Sequence, residues 1–503
     1  MYPHLTAPQA QRPLPHPAHH LSPNQRQRLA VDALAATKPI AHLAHEQDVS
    51  RKFVYQQADK AQRVLTDAFA PAADKASPVL FTVGVTKALL RQMVLGLVLI
   101  CHSSFRGVVE FLKDVLDFPL SVGSVANIVH AAVAPARAHN DSQNLSQVRV
   151  GAHDEIYQTQ QPVLVGLCAH STYCYLLSQE EHRDADTWGV RLLELQARGF
   201  APEATIADGG AGLRTGQELA LPGVPCRGDV FHVLYEFKQV LRYLESRAYE
   251  AIAKRLGVER QRATPGKKRD RLKHVLPARL RHARAAEAKA VALYDDLTLL
   301  WRWLREDILS VAGPDQATRR LLFDFVVAEI RARLPGSTPG VKDVCRALTT
   351  QRETLLAFVA PLDQALTAVA AKWAVPVGVV RELLRVQALP PKSPRRGLQE
   401  AALRQQLRGR YHGLSVAVAA LARDVVRASS VAENLNSRLR CYFFLRRELG
   451  AGYLSLLQFF LNHRRFQRSA HAEREDKSPA ELLTGQPHPH WLEMLGYQRF
   501  QSQ

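Results

Sequence analysis

The chain has 503 residues, 47% of them hydrophobic, and its 66 Lys and Arg against 47 Asp and Glu leave a formal charge of +19. That length suits several domains of roughly 100–200 residues, each with its own core, and that charge selects a polyanion as partner, with nucleic acid favoured over a membrane surface because the basic residues lie in separated patches. The six cysteines, at 101, 168, 174, 226, 345 and 441, form no Cys-x-x-Cys pair or framework spacing, which excludes a disulfide scaffold and fits a reducing cytoplasm.

Residues 1–20 hold five prolines and four histidines, with no apolar periodicity and no signal-peptide core, and read as a disordered lead-in. From Leu21 to Ala61 the pattern predicts helices at Gln25–Ala36, Pro39–His45 and Ser50–Asp59, with Pro39 at a helix start and Ser50 as a cap. This is a helix-turn-helix arrangement, with Ser50, Arg51, Lys52 and Tyr55 at the exposed start of a recognition helix. The competing reading is a three-helix packing unit with a solvated basic face. A second helical unit is expected from Lys87 to Val133, so 21–140 is read as one DNA-binding region. Met93–Cys101 is apolar but far short of the roughly 20 residues of a membrane span, and reads as a buried helix.

Val148 to Ile156 alternates so that Val148, Val150, Ala152, Asp154 and Ile156 share one strand face. Strands at Pro162–Ala169 and Tyr173–Leu177 follow, then a helix near Asp186–Arg198, then a short strand from Ala204 that runs into Asp208-Gly209-Gly210. Three meandering strands, a helix and a strand ending in Asp resemble the opening of a ribonuclease-H-like fold. In that order Asp154 and Asp208 stand side by side. A core-facing carboxylate is costly unless a cation faces it, and two converging carboxylates point to a hard cation such as Mg²⁺. Taken singly, Asp208 reads equally as a turn residue before glycine and Asp154 as an edge residue. Glu155 points to the opposite face and stays outside the site.

From Tyr235 to Val425 the strand signal gives way to amphipathic helices broken at Pro265-Gly266, Pro314, Pro335-Gly336 and Pro390-Pro391. Lys254–Lys289 carries 13 Lys or Arg against 3 acidic residues, Lys267, Lys268, Arg269 and Arg271 among them, and that density suits phosphate binding better than a solvated face. Trp301 and Trp303 are assigned to core. Beyond this lies Ser429-Ser-Val-Ala-Glu-Asn-Leu-Asn-Ser-Arg-Leu-Arg440. There Asn436, Ser437 and Arg440 fall on the Glu433 side of a helix, where a DNA strand would pass, with Leu435 and Leu439 on the packing side. No P-loop motif is present, so no nucleotide cofactor is indicated.

The Glu433 motif resembles the Glu-bearing helix of DDE-type bacterial insertion-sequence transposases, with Asp154, Asp208 and Glu433 matching that family's acidic trio. Cys226-Arg-Gly-Asp-Val-Phe-His232 is similar to the Cys and Asp-x-x-His signature of Mutator-like members, and Lys477-Ser-Pro-Ala-Glu-Leu-Leu-Thr-Gly485 resembles a common transposase ending. The resemblance implies an α/β ribonuclease-H-like catalytic core with a mixed sheet, split into 146–234 and 426–503 by an all-α insertion at 235–425. It implies two Mg²⁺ ions, replaceable by Mn²⁺, on the three carboxylates, with metal-dependent cleavage and strand transfer. Asp229, His232 and Cys226 would brace that site; zinc on Cys226 and His232 lacks a second ligand pair. The implied partners are element-end and target DNA and further copies of the chain, in a homodimer or larger assembly. Rival readings are a nuclease or resolvase on the same fold, and a transposase-derived DNA-binding regulator.

Overall fold

The computed structural model describes residues 20–69, 83–334, 338–427, 430–445, 450–469 and 472–499; the proline-rich lead-in, apart from His20, and the break at Pro335-Gly336 lie outside the described residues. The chain divides into two compact units after Gly84.

The first unit is three helices, α1 (Pro23–Leu34), α2 (Ile40–Glu46) and α3 (Arg51–Phe69). Ser22 and Gln25 form a reciprocal capping box that starts α1. Asp48, at φ 47°, turns the chain between α2 and α3, and the Phe53 N–H donates to Ser50 Oγ at 3.2 Å, so Ser50 caps α3 as expected. The core is small: Leu21, Leu29, Leu43, Ala44 and Val54. α3 runs ten residues beyond the expected Asp59.

The second unit is built on a five-stranded mixed sheet of order β3-β2-β1-β4-β5. Its strands are β1 (Val150–Gln158), β2 (Gln161–Cys168), β3 (Cys174–Gln179), β4 (Ala204–Ala207) and β5 (Cys226–Gly228). β1, β2 and β3 form an antiparallel meander, while β4 and β5 run parallel to β1. Thr159 takes φ 58° in the two-residue turn between β1 and β2, as a hairpin of that length requires. Between the meander and β4 lies α8 (Ala185–Gln196), and between β4 and β5 lies α9 (Ala211–Ala220).

Strand alternation sorts the two faces. Asp154 pairs with Val165 and Ile156 with Val163, and that face packs under α4 (Lys87–Leu99), α5 (Phe105–Leu116), α6 (Val122–Ala131) and α7 (Val133–Ser142) and the C-terminal helices. The sequence groups residues 87–140 with the first unit, but their apolar side chains share a core with the sheet: Val94, Leu95, Val98 and Leu99 have no exposed surface, each contributing about 1.5–3 kcal/mol. The other face, with Leu164, Cys168 and Tyr175, packs on Trp188 and Leu192 of α8 and Leu213 of α9.

From β5 the chain enters α10 (Val230–Ala263), α11 (Lys267–Leu272) and α12 (Leu276–Arg302). α10 and α12 form a long helical hairpin, with α10 about 50 Å in length and α11 at its tip. Arg255 pairs with Glu259 at 2.6 Å and with Glu287, and Arg284 pairs with Glu259 at 3.0 Å. A π-helical turn, Trp303–Ile308, ends α12. The fully buried Arg319 donates to the carbonyls of Ile308, Ser310, Val311 and Pro314, closing the loop after that turn. Seven further helices, α13 (Gln316–Arg333) through α19 (Tyr411–Asp424), complete an all-α body with its own core. Trp301 and Trp303 are partly buried against that core. The stretch 352–372 has the length and apolarity of a membrane span, yet Leu355, Leu356, Phe358, Val359, Leu362 and Leu366 are spent on this core.

The chain returns to the sheet as α20 (Ser430–Leu445) and α21 (Gly450–His463), followed by two short helices, α22 (Pro479–Thr484) and α23 (Trp491–Met494). The Ser478–Glu481 capping box and Gly485 at φ 70° bound α22, which explains locally why Lys477–Gly485 has the composition it has.

Candidate active site

Asp154 lies on β1 under α20. The Asn436 amide donates to Asp154 Oδ2 at 2.7 Å, and the Glu155 N–H donates to Asp154 Oδ1 at 2.8 Å. Burial, then repulsion from Glu433, Asp208 and Asp229 against the relief of the Glu155 bond, pushes the Asp154 carboxyl up to about 7. The charges of Asp208 just after β4, Asp229 at the β5–α10 junction and Glu433 on α20 all act on the carboxyl in β1, and the Asn436 bond seats the Glu433 helix over that strand.

Asp208 follows β4 directly. Its Oδ1 accepts the Gly210 N–H at 2.9 Å, so the turn role and a position beside Asp154 hold together. Asp229, almost fully buried, caps α10 by accepting the Phe231 N–H at 2.9 Å. His232, one turn into α10, meets Glu236 at 3.1 Å. That bond, with the nearby Asp208 and Asp229 charges, raises its imidazole to about 9 and outweighs burial, placing a cation beside the acidic group at neutral pH. Cys226 packs with the α8–α9 face; burial raises its thiol, and it is close enough to Asp208 for that charge to add to the rise. Its register partner is Thr205, whose hydroxyl bonds Gln217 of α9, so it braces β4 and β5 from behind.

Glu155 lies on the opposite face, as alternation requires. It accepts Trp188 Nε1 at 3.0 Å and Arg183 at 2.7 Å.

Two features escape the sequence reading. Asn436 is assigned there to DNA, but it is 3% exposed and spends its amide on Asp154; it lies about 60° around the helix from both Leu439 and Glu433, at the edge of the packing side. Its Oδ1 is buried without a hydrogen-bond partner among the described residues. The second feature is the strap that leads into α20. Val426 O accepts from Arg227 at 3.3 Å, Arg427 O accepts the Val230 N–H at 3.2 Å, and the Arg427 guanidinium donates to Leu309 O at 2.6 Å. These bonds tie the approach to the Glu433 helix to β5, α10 and the end of the π turn.

The residues assigned to DNA fall in three places. Arg51, Lys52 and Tyr55 are exposed on the first turns of α3, with Ser50 beside them, in the first unit. Arg440 is exposed on α20, and Lys267 and Arg271 are exposed on α11 at the hairpin tip; of the Lys268 and Arg269 side chains nothing is described. Within the basic run Arg255 and Arg284 are consumed by the ion pairs of the hairpin.

The donors suit a hard divalent cation: all are carboxylate oxygens, and burial disfavours the Asp154 negative charge. They are not drawn to ligation distance here; among the described residues no three His, Cys, Asp or Glu side chains gather closely enough to hold an ion. No protein-family model matches the chain, and no curated protein matches it.

Proposed function

We propose that the chain is a DNA transposase of the DDE type, binding element ends and carrying out metal-dependent strand cleavage and strand transfer on a ribonuclease-H-like core. The observation that carries this reading is the 2.7 Å hydrogen bond from Asn436 to Asp154, which seats the Glu433 helix on β1 across the 235–425 helical body, while β4, which runs into Asp208, pairs in parallel with β1. The sheet supports it further, since an antiparallel meander followed by two strands parallel to β1 is the arrangement that the ribonuclease-H-like reading requires. Asp154, Asp208 and Glu433 would hold Mg²⁺, which when bound supplies Lewis-acid stabilisation and an activated oxygen nucleophile for phosphodiester chemistry. The chain's own part is to hold Asp154 in orientation through Asn436 and Glu155, to fix Glu433 through the Arg427 strap, and to keep a proton on His232 beside the acids. The formal charge of +19 and the exposed basic tip of α11 supply affinity for phosphate, and α3 supplies a candidate reading head.

The test uses DNA ends of the element with a free 3′-hydroxyl, a target plasmid and Mg²⁺. Joined end–target products are expected from the full chain. Hydrolysis without joined products would establish the nuclease or resolvase reading instead, and end binding without either reaction would establish the regulator.

A further inference from the structure

α10 starts at the candidate site, with Asp229 as its cap, and ends at the basic tip of the hairpin. Its inner face, Val233, Phe237, Val240, Leu241 and Leu244, is buried in the helical core. At 100° per residue the face opposite carries Phe231, Tyr235, Lys238, Arg242, Tyr249 and Arg260 within about 40° of one line. A helix face open to water ordinarily carries charged and small polar residues, yet Phe231, Tyr235 and Tyr249 are 39%, 51% and 65% exposed. The Phe231 and Tyr235 rings lie nearly parallel, with centroids 6.2 Å apart and planes inclined by 20°. Lys238 and Arg242 between the rings are exposed. Arg242 donates to Gln239 at 3.3 Å, which leaves its charge unneutralised by any carboxylate among the described residues. Glu245 is the one acid on the flank of the line, and Glu236 is turned away to His232.

Resting on the reading of the chain as a DNA-processing protein, we propose that the outer face of α10 is a path for an unpaired DNA strand, running from the carboxylate site toward the tip of the hairpin. Duplex DNA offers no free base face to a ring on a helix surface, because its bases are stacked on each other. An unpaired strand offers both a base face to the exposed rings and phosphates to the cations beside them, and that combination of aromatic and basic side chains along one track is what such strands bind. Over its length of about 50 Å the helix also runs from the acidic site at its start to the cationic tip at its end. The strand is bound by its backbone and by sequence-tolerant stacking, so the face supplies affinity without base readout.

The experiment measures binding of the full chain to a labelled 20-nucleotide oligothymidylate and to a mixed-sequence duplex of equal length, by fluorescence anisotropy in EDTA. Phe231→Ala/Tyr235→Ala/Tyr249→Ala should weaken single-strand binding by about ten-fold or more and leave duplex binding within two-fold. Tyr235→Phe/Tyr249→Phe, which keeps both rings, should bind as the parent does, and an unchanged circular dichroism melt controls for folding. Lys238→Gln/Arg242→Gln should instead flatten the single-strand salt dependence by about 0.7 for each phosphate left without its cation. Equal losses on single strand and duplex, or no loss in the ring triple variant, would overturn the proposal. Because the assay needs neither metal nor cleavage, it stands apart from the test of catalysis: ring-dependent single-strand binding by a chain that never cuts would keep the path and discard the transposase.

Discussion

Asp154→Asn should stabilise the metal-free second unit, and do so only above acidic pH. In the folded protein the Asp154 carboxyl titrates at about 7, whereas an unperturbed Asp carboxyl titrates at 3.8. A folded-state value above the unfolded one means that the native state holds its proton more tightly. The associated stability is therefore complete below the unfolded value and is lost as pH rises from about 4 through 7. At about 1.4 kcal/mol per unit, the separation sets a ceiling of about 4 kcal/mol on the penalty carried by the ionised parent at pH 8. Asparagine has no such penalty. Its carbonyl can accept the Glu155 N–H, and its amide finds an acceptor if Asn436 turns to present the Oδ1 that has no partner among the described residues of the parent. The assay is urea denaturation in EDTA at pH 5, 6, 7 and 8, followed by tryptophan fluorescence, since all five tryptophans, at 188, 301, 303, 373 and 491, lie in the second unit. The stability difference between variant and parent should grow with pH across this range and reach about 1–4 kcal/mol at pH 8. A difference that is flat in pH, or a variant less stable than the parent at pH 8, would refute the account of Asp154 as a buried carboxylate pressed by its neighbours.

Asn436→Ala should destabilise the second unit by about 1–3 kcal/mol, because it strips Asp154 Oδ2 of its buried donor; urea denaturation at pH 8 measures it, and a loss under about 0.5 kcal/mol would return Asn436 to a surface role. Arg319→Met should cost about 3 kcal/mol or more in the same assay, since four backbone carbonyls lose one donor group at once, and a neutral outcome would mean that the loop closes without it. Replacing Lys267, Lys268, Arg269 and Arg271 by Gln should weaken duplex binding at low salt and reduce the salt slope by nearly one for each phosphate no longer neutralised; an unchanged slope would make the hairpin tip a solvated surface.

The strands are legible in the sequence because alternation is local. Ala152, Asp154 and Ile156 point one way and Glu155 the other within β1. Val148, expected on the Asp154 face, lies ahead of the strand and packs in the core of the α8–α9 face instead. The β2–β3 register shifts at Gly166 and Leu167, so the period of two holds only where the strand is regularly paired. The Asp208 turn is legible because it too is local, its carboxylate bonding two residues on. The long helices of 235–425 can be read from periodicity, whereas the folding of α10 on α12 depends on pairs such as Arg255 with Glu287, 32 residues apart, which no short window shows. Grouping α4–α7 with the first unit follows helix content, and helix content does not say which core a helix joins: Leu99 O accepts the hydroxyl of Tyr442, 343 residues away. Periodicity puts Asn436 on the Glu433 side of its helix but does not show that this side is buried against β1, because an amide that meets DNA and one that meets a buried carboxylate look alike in sequence. The aromatic stripe of α10 is present at i, i+4 spacing in Phe231 and Tyr235, and it is masked by the Asp229 and His232 signature that it interleaves.

The most direct measurement of the central claim is cleavage of DNA taken from the two flanks of the coding region, where the proposed element ends would lie, by the full chain with Mg²⁺ and with EDTA. The parent and Glu155→Gln should cut at the element ends with Mg²⁺ and not with EDTA, while Asp154→Asn, Asp208→Asn and Glu433→Gln should bind those ends without cutting. Cleavage surviving in all three carboxylate variants, or lost in Glu155→Gln and kept in Asp154→Asn, would contradict the assignment of the chemistry to this face of the sheet.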